Sequence, residues 1–464
     1  MLKLPRRRTL YSRNSYYKPP KRAQKVSWLW IALSIPISLI LIELGARIYL
    51  GFGGKVGATG RDTALEKAYR LQFLTENQKT IEGLPKGGDL VAVRSSSQGY
   101  QLLNKQKTPF WGINEQGFRD SASLPQSKPG GEIRIFLIGG STAFGQGTKS
   151  NENTIAHKLE TLLNTRVEQQ RKNPEKFKPD VFPFWQPDRE KLMQLPSKIK
   201  DGKYRVINAA VPGYTSGNQL SQLTRNILPY QPDLIIVLDG YGDLLLSSDR
   251  QQTEIPHIDE FLNDASKHYQ ASFNQSLQQW LNGIGITQAI NQLTAKPDSD
   301  NPEDQILPTG GLSVRQFLPR DDKELNRRID RYLDNQKQFL SLAKMTNVPV
   351  VLAIQPEITG RALEKLSPAE RVIRKKLDDN YLDTIPTAYN KLIQSSQKLS
   401  SAFGQNVKVE NLYSLSQSAS KPLFTDTVNL TESGNAIVAN NLYKSITNWN
   451  KLQIVPENFY LKAN

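Results

Sequence analysis

Ser141 stands where an apolar run of strand length, residues 133–138, turns through Gly139 and Gly140. Glycines let backbone approach a bound group closely, and amides at a helix start favour negative charge there. In an open α/β sheet, the carboxyl ends of the strands are where ligands bind. The same stretch also reads as a plain strand-to-helix turn with Ser141 as its capping residue. Four more polar sets stand at comparable positions. They are Gly213, the 239–243 turn with Asp239 and Asp243, the 355–357 turn with Gln355 and Glu357, and residues 424–435 with Asp426 and Asn429. A hydroxyl, glycine amides and carboxyl groups are thus spaced along the chain for assembly at one end of a sheet.

The elements that must position them alternate. Apolar runs at 133–138, 204–209, 234–238 and 348–354, and a weaker one at 407–412, read as strands. Between them, Leu325, Ile329, Tyr332, Leu333, Phe339 and Leu340 share one helix face, and Ile437, Val438, Asn441, Leu442 and Ile446 share another. Near-continuous apolar strands alternating with helices predict a five-stranded parallel sheet covered on both sides. Asn151 or Asn153 is the expected cap of the helix after Ser141, and Thr431 that of the final helix, with Glu432 in its first turn. Asn114 and Gly117 read as turn formers, with Phe118 as an anchor for the segment ahead of the sheet. Residues 165–203 and 250–320 break the alternation and read as excursions at the sheet edges, the second as a candidate lid.

Composition narrows the chemistry. The 464 residues include no cysteine, which excludes a cysteine nucleophile, a thiolate metal site and a disulfide framework. The only histidines are His157, His257 and His268. Of the formal charge of +16, nine positive charges lie in residues 1–25 without a single acid. Residues 26–42 carry no charge, and the stretch extends to residue 50 with Glu43 and Arg47 four apart on one helix face. A length of roughly 20–25 residues, with Trp28, Trp30 and Tyr49 as interfacial anchors, predicts one transmembrane helix over 26–50. The basic tail then belongs in the cytoplasm and everything after residue 50 outside it. With the tail assigned to orientation, no nucleic-acid partner is expected. The organisation read from sequence is a basic tail 1–25, a membrane helix 26–50, a linker and lead segment 51–110, a catalytic-type domain 111–450 and a tail 451–464.

The ordered polar sets resemble the blocks of the SGNH/GDSL hydrolase family over roughly residues 110–450. The resemblance implies a flavodoxin-like three-layer α/β/α sandwich. Gly139-Gly140-Ser141-Thr142 matches the first block, making Ser141 the nucleophile, whose position also contributes to the oxyanion site. Asn208-Ala209-Ala210-Val211-Pro212-Gly213 matches the second, making Gly213 an oxyanion donor. Asn114 to Arg119 matches a lead motif, Asn-x-x-Gly-Phe-Arg, that accompanies membrane-anchored members. The resemblance implies no cofactor and no metal. Its substrate class is esters, commonly O-acyl groups on envelope glycans or lipids. The tail and the membrane helix add the expectation of an inner (cytoplasmic) membrane with the main domain periplasmic or otherwise extracytoplasmic, which fits a bacterial envelope protein.

Two blocks depart from the family. Gly242 stands at the position of the oxyanion asparagine, and Asn429 at that of the base histidine in Asp426-Thr427-Val428-Asn429. An amide cannot take a proton near neutral pH, so Asn429 cannot activate Ser141. In serine hydrolases, loss of a triad member costs on the order of a million-fold in turnover. Loss of one oxyanion donor costs roughly a hundred- to thousand-fold. The sequence therefore favours a scaffold that binds a glycan, a lipid or a protein partner with weakened or lost turnover. An active esterase or O-acyltransferase would need a substitute base, for which His257 and His268 in the 250–320 excursion are the candidates. A structural anchor in a membrane assembly would use the membrane helix and ignore the cleft.

Overall fold

The computed structural model describes residues 64–249 and 317–458, apart from 76–77, 80–86, 96 and 415–420. The expected tail and membrane helix at 1–50 and the candidate lid at 250–316, with His257 and His268, lie outside the described residues. Among the described residues, no helix is long and apolar enough to cross a membrane.

In chain order the elements are α1 (Ala64–Tyr69), β1 (Leu71–Leu74), β2 (Leu90–Ser95), β3 (Gly99–Leu102), β4 (Glu132–Gly139), α2 (Ser141–Phe144), α3 (Ile155–Lys172), β5 (Val181–Phe182), α4 (Gln186–Met193) and β6 (Lys203–Asn208). They continue with α5 (Ser216–Gln222), β7 (Leu234–Asp239), α6 (Tyr241–Leu245), α7 (Asp322–Met345), β8 (Val350–Ile354), α8 (Pro368–Lys375), α9 (Asp379–Phe403), β9 (Val407–Asn411), α10 (Glu432–Thr447) and β10 (Glu457–Asn458). All five expected strands are present.

They pair in the order β6-β4-β7-β8-β9, every neighbour parallel. Counted along the sheet's own strands this is 2-1-3-4-5, the flavodoxin-like order, with its switch point between β4 and β7. Strands β7 and β8 are buried along their whole length. Side chains alternate between two apolar layers, as period-2 geometry demands. Ile135 and Leu137 face a layer containing Leu159 and Leu163 of α3 and Val438 and Leu442 of α10. Phe136 and Ile138 face another with Leu223, Phe339 of α7 and Leu399 of α9. The result is an α/β/α sandwich.

Three details differ from the sequence reading. The cap after the Ser141 turn is Thr154, whose side chain accepts from the His157 amide, while residues 151–153 form a short 3₁₀ turn. Thr431 does cap α10. The first eight residues of the 165–203 excursion are the end of α3, because Val167 and Gln170 still point into the core. Finally, much of the lead segment is folded. Strands β1 and β2 run parallel and β2 and β3 antiparallel, with Phe73, Leu90, Ala92 and Tyr100 joining the core of the main domain.

Candidate active site

Strand β4 delivers Ser141 through a turn that only glycine permits. A Cβ on Gly139, whose φ is +151°, would lie 2.1 Å from the Leu238 carbonyl oxygen of the neighbouring strand. Gly140 precedes the helical turn α2, and Gly145 ends it in the left-handed region at φ +84°. Ser141 is 4% exposed, and its hydroxyl makes no hydrogen bond among the described residues.

The far end of this turn is gripped by Arg119 of the lead motif. Its Nη1 donates to the carbonyls of Phe144 and Gly145 at 2.9 and 2.8 Å. Nη2 donates to the Tyr69 hydroxyl at 2.7 Å and to Thr148 Oγ1 at 2.9 Å, and Nε to Asn151 Oδ1 at 3.0 Å. The guanidinium also lies over the rings of Phe144 and Tyr69. Burial lowers the pKa of this cation, countered in part by Tyr69. The motif around it is a built turn. Asn114 Oδ1 accepts from the amides of Gln116 and Phe118, Gly117 takes φ +80°, and Phe118 packs edge-on against Phe136 and Tyr230.

Gly213 lies in the loop after β6, at φ +84°. The lead sheet buttresses this loop: the Tyr100 hydroxyl donates to the Pro212 carbonyl at 2.8 Å, and the Tyr214 hydroxyl donates back to the Tyr100 carbonyl. The Tyr214 carbonyl oxygen is 3.4 Å from the Cβ positions of both Gly140 and Gly242. The three loops carrying Ser141, Gly213 and Gly242 therefore converge at the switch point of the sheet. Gly242 sits in α6 with an ordinary backbone, and a Cβ there would touch Thr215 Cγ2 at 3.3 Å.

The fourth loop closes on the other side. Asp426 Oδ1 accepts from the amides of Val428 and Asn429 at 2.9 and 2.6 Å, and Oδ2 accepts from Asn429 Nδ2 at 2.7 Å. Burial raises the Asp426 pKa, and the three N–H donors oppose that rise. Asn429 Oδ1 is buried without a partner among the described residues. Thr142 Oγ1 donates to the Val428 carbonyl at 3.1 Å and accepts from Gln355 Nε2 at 3.1 Å. The residue after Ser141 is thus bonded to the residue before Asn429. The structure brings Ser141, Gly213, Gly242, Asp426 and Asn429 into one set of touching loops.

The remaining carboxyl groups are engaged elsewhere. Asp239 accepts from the Tyr332 hydroxyl and Gln336 Nε2, and Asp243 from the amide and hydroxyl of Ser216. Burial and the neighbouring Asp243 push Asp239 well above the carboxylate range, and burial raises Asp243 too. His157 is exposed on α3 and belongs to no part of the site. Thr142 and Tyr100 were silent in the sequence, because nothing local marks a threonine or a strand tyrosine as a tie between distant loops.

Glu357 turns away toward a buried cluster, accepting from Thr359 and, at 3.2 Å, from the Tyr381 hydroxyl. Burial pushes its carboxyl up to about 7 from its ordinary 4.5. Between these values the folded chain keeps a proton that the unfolded chain has released, so stability falls as pH rises from 4.5 to 7. Glu357→Gln is therefore expected to stabilise the protein by about 3 kcal/mol at pH 8 and hardly at all near pH 4.5. Urea melts of both proteins at the two pH values check this. An equal difference at both would refute the protonated carboxyl.

Neither family models nor curated proteins match the sequence. Among solved structures, the chain is similar to a lipase/acylhydrolase from Enterococcus faecalis at 14% identity, with 68% of this chain and 95% of that chain covered and a TM-score of 0.32. A catalytic mutant of an acetylxylan esterase from Geobacillus stearothermophilus gives 11% identity, 67% and 93% coverage and a TM-score of 0.33. A GDSL-like lipase from Bacteroides thetaiotaomicron gives 11%, 70%, 91% and 0.28. The solved structures it resembles are GDSL/SGNH hydrolases.

Proposed function

We propose that this chain is a membrane-anchored, extracytoplasmic relative of the SGNH/GDSL ester hydrolases that keeps the cleft and has weakened or lost the chemistry. The observation that carries the reading is the Asn429 amide bonded to Asp426 at 2.7 Å. A base histidine in this place would donate one ring nitrogen to the aspartate and present the other to the serine. Asn429 reproduces the first half of that arrangement and cannot perform the second, because its remaining atom is an amide oxygen with negligible basicity. Gly242 in place of the oxyanion asparagine removes a side-chain donor as well. What survives is a converging set of backbone loops suited to an ester or acyl group on an envelope glycan or lipid. The basic tail and the uncharged stretch at 26–42 support a single-pass anchor with the domain outside the cytoplasm.

The test is hydrolysis of a chromogenic acetyl ester by the full chain in detergent, alongside Ser141→Ala. Both are expected to show the same background rate. Turnover by the parent at the rate of an intact esterase that disappears in Ser141→Ala would overturn the reading and require a substitute base.

A further inference from the structure

A pocket of about 310 Å³ lies beside the candidate site, between β3, the 115–118 turn, the loop after β6 and α5. We infer that it is a binding site for a neutral saccharide unit. Its lining is dominated by side-chain amides, among them Gln98, Gln101, Gln222 and Asn226, with Tyr214 and Phe118 adding aromatic surface. Its volume is at the small end of the range for ligand sites. Among the described residues no basic side chain lines it, which argues against an anionic ligand. Its one acid, Glu115, is paired with Lys105 at 3.0 Å. Amides that both donate and accept, beside an aromatic surface, suit hydroxyl and acetamido groups on an otherwise apolar ring.

The polar groups are held in place and left incomplete. Gln222 is 4% exposed, and its Nε2 donates to the Ala209 carbonyl at 2.7 Å, which pins this wall of the pocket to the end of β6. Gln98 Nε2 donates to Asn226 Oδ1 at 2.5 Å, which fixes both side chains and leaves Asn226 Nδ2 to donate and Gln98 Oε1 to accept. Val211 and Tyr214, which bracket Gly213, form one wall. A sugar seated here would therefore press on the loop that carries the oxyanion glycine. That this sugar is the glycan part of an acylated substrate rests on the function proposed above; the binding itself does not.

The experiment is calorimetric titration of the full chain, in a zwitterionic detergent without a sugar head group, with xylotetraose and with tetra-N-acetylchitotetraose. At least one is expected to bind with a Kd below about 1 mM. Gln98→Met, which keeps the side-chain length and removes the acceptor and the grip on Asn226, should weaken that binding about tenfold or more. Gln101→Trp, on an exposed position of β3, should block the pocket without touching the core and abolish binding. Loss in Gln101→Trp supports the site even if Gln98→Met fails to fold. No binding of either probe at about 10 mM, or parental affinity in both variants, would overturn it. A failed ester assay leaves this measurement intact, because it reads binding and not turnover.

Discussion

Asn429→His is expected to give the chain ester turnover that depends on Ser141, at least about a hundredfold above the parent's background. The expectation rests on how little else must change. The aspartate that would orient an imidazole is in place, buried and already accepting the side-chain N–H of residue 429 at 2.7 Å. The loop that carries residue 429 is tied to the serine turn through Thr142 and Val428. Among the described residues the serine hydroxyl has no hydrogen bond to give up to a new base. Histidine is larger than asparagine, and the buried, unpartnered Oδ1 marks where its ring must find room. The gain should fall short of an intact hydrolase because Gly242 supplies no side-chain donor. Adding Gly242→Asn to Asn429→His should raise kcat by roughly a further ten- to hundredfold, less than the usual value of an oxyanion donor because the new Cβ crowds Thr215 at 3.3 Å. Initial rates on the acetyl ester, each repeated with Ser141→Ala, measure both steps. If Asn429→His stays at background while its melting curve matches the parent's, the loops are not poised as described.

The sheet was legible because its strands are buried on both faces and therefore read as unbroken apolar runs, of which 234–238 is the clearest. The site was legible for the same reason: glycines, a serine and carboxyl groups mark the points where those runs stop. The lead sheet was not legible. Leu71–Leu74 and Leu90–Ser95 are short, and their pairing joins segments that local pattern does not connect. The polar residues inside the core were equally hidden. Arg134 is fully buried beside Glu132, and Arg361 beside Glu370 at 2.8 Å, yet in sequence each looks like surface charge. The cap at Thr154 was masked by two asparagines just before it because asparagine and threonine both suit that role.

Arg119→Met is expected to cost on the order of 3–5 kcal/mol of stability, because several charge-assisted hydrogen bonds to buried neutral groups are lost together. The guanidinium satisfies two carbonyls, two hydroxyls and an amide oxygen at once, all at 2.7–3.0 Å. Methionine fills most of the volume, so the loss is one of hydrogen bonds and not of packing. Neither carbonyl is left bare, because Asn208 Nδ2 also donates to Phe144 at 3.1 Å and Thr148 Oγ1 to Gly145 at 2.9 Å, so the loss stays below the sum of five separate charge-assisted bonds. Arg119→Lys should recover little, since a compact ammonium with three donors cannot span Phe144 and Asn151 as the planar fork does. Tyr69→Phe, which removes one acceptor of the guanidinium and the donor to the Thr148 carbonyl at 2.7 Å, should cost about 1–3 kcal/mol. Urea unfolding of the full chain gives all three values. The lead motif would then be a strut for the turn that carries Ser141, and in the Asn429→His background Arg119→Met should reduce kcat more than KM. A loss under about 1 kcal/mol for Arg119→Met would show instead that the turn holds its shape without the clamp.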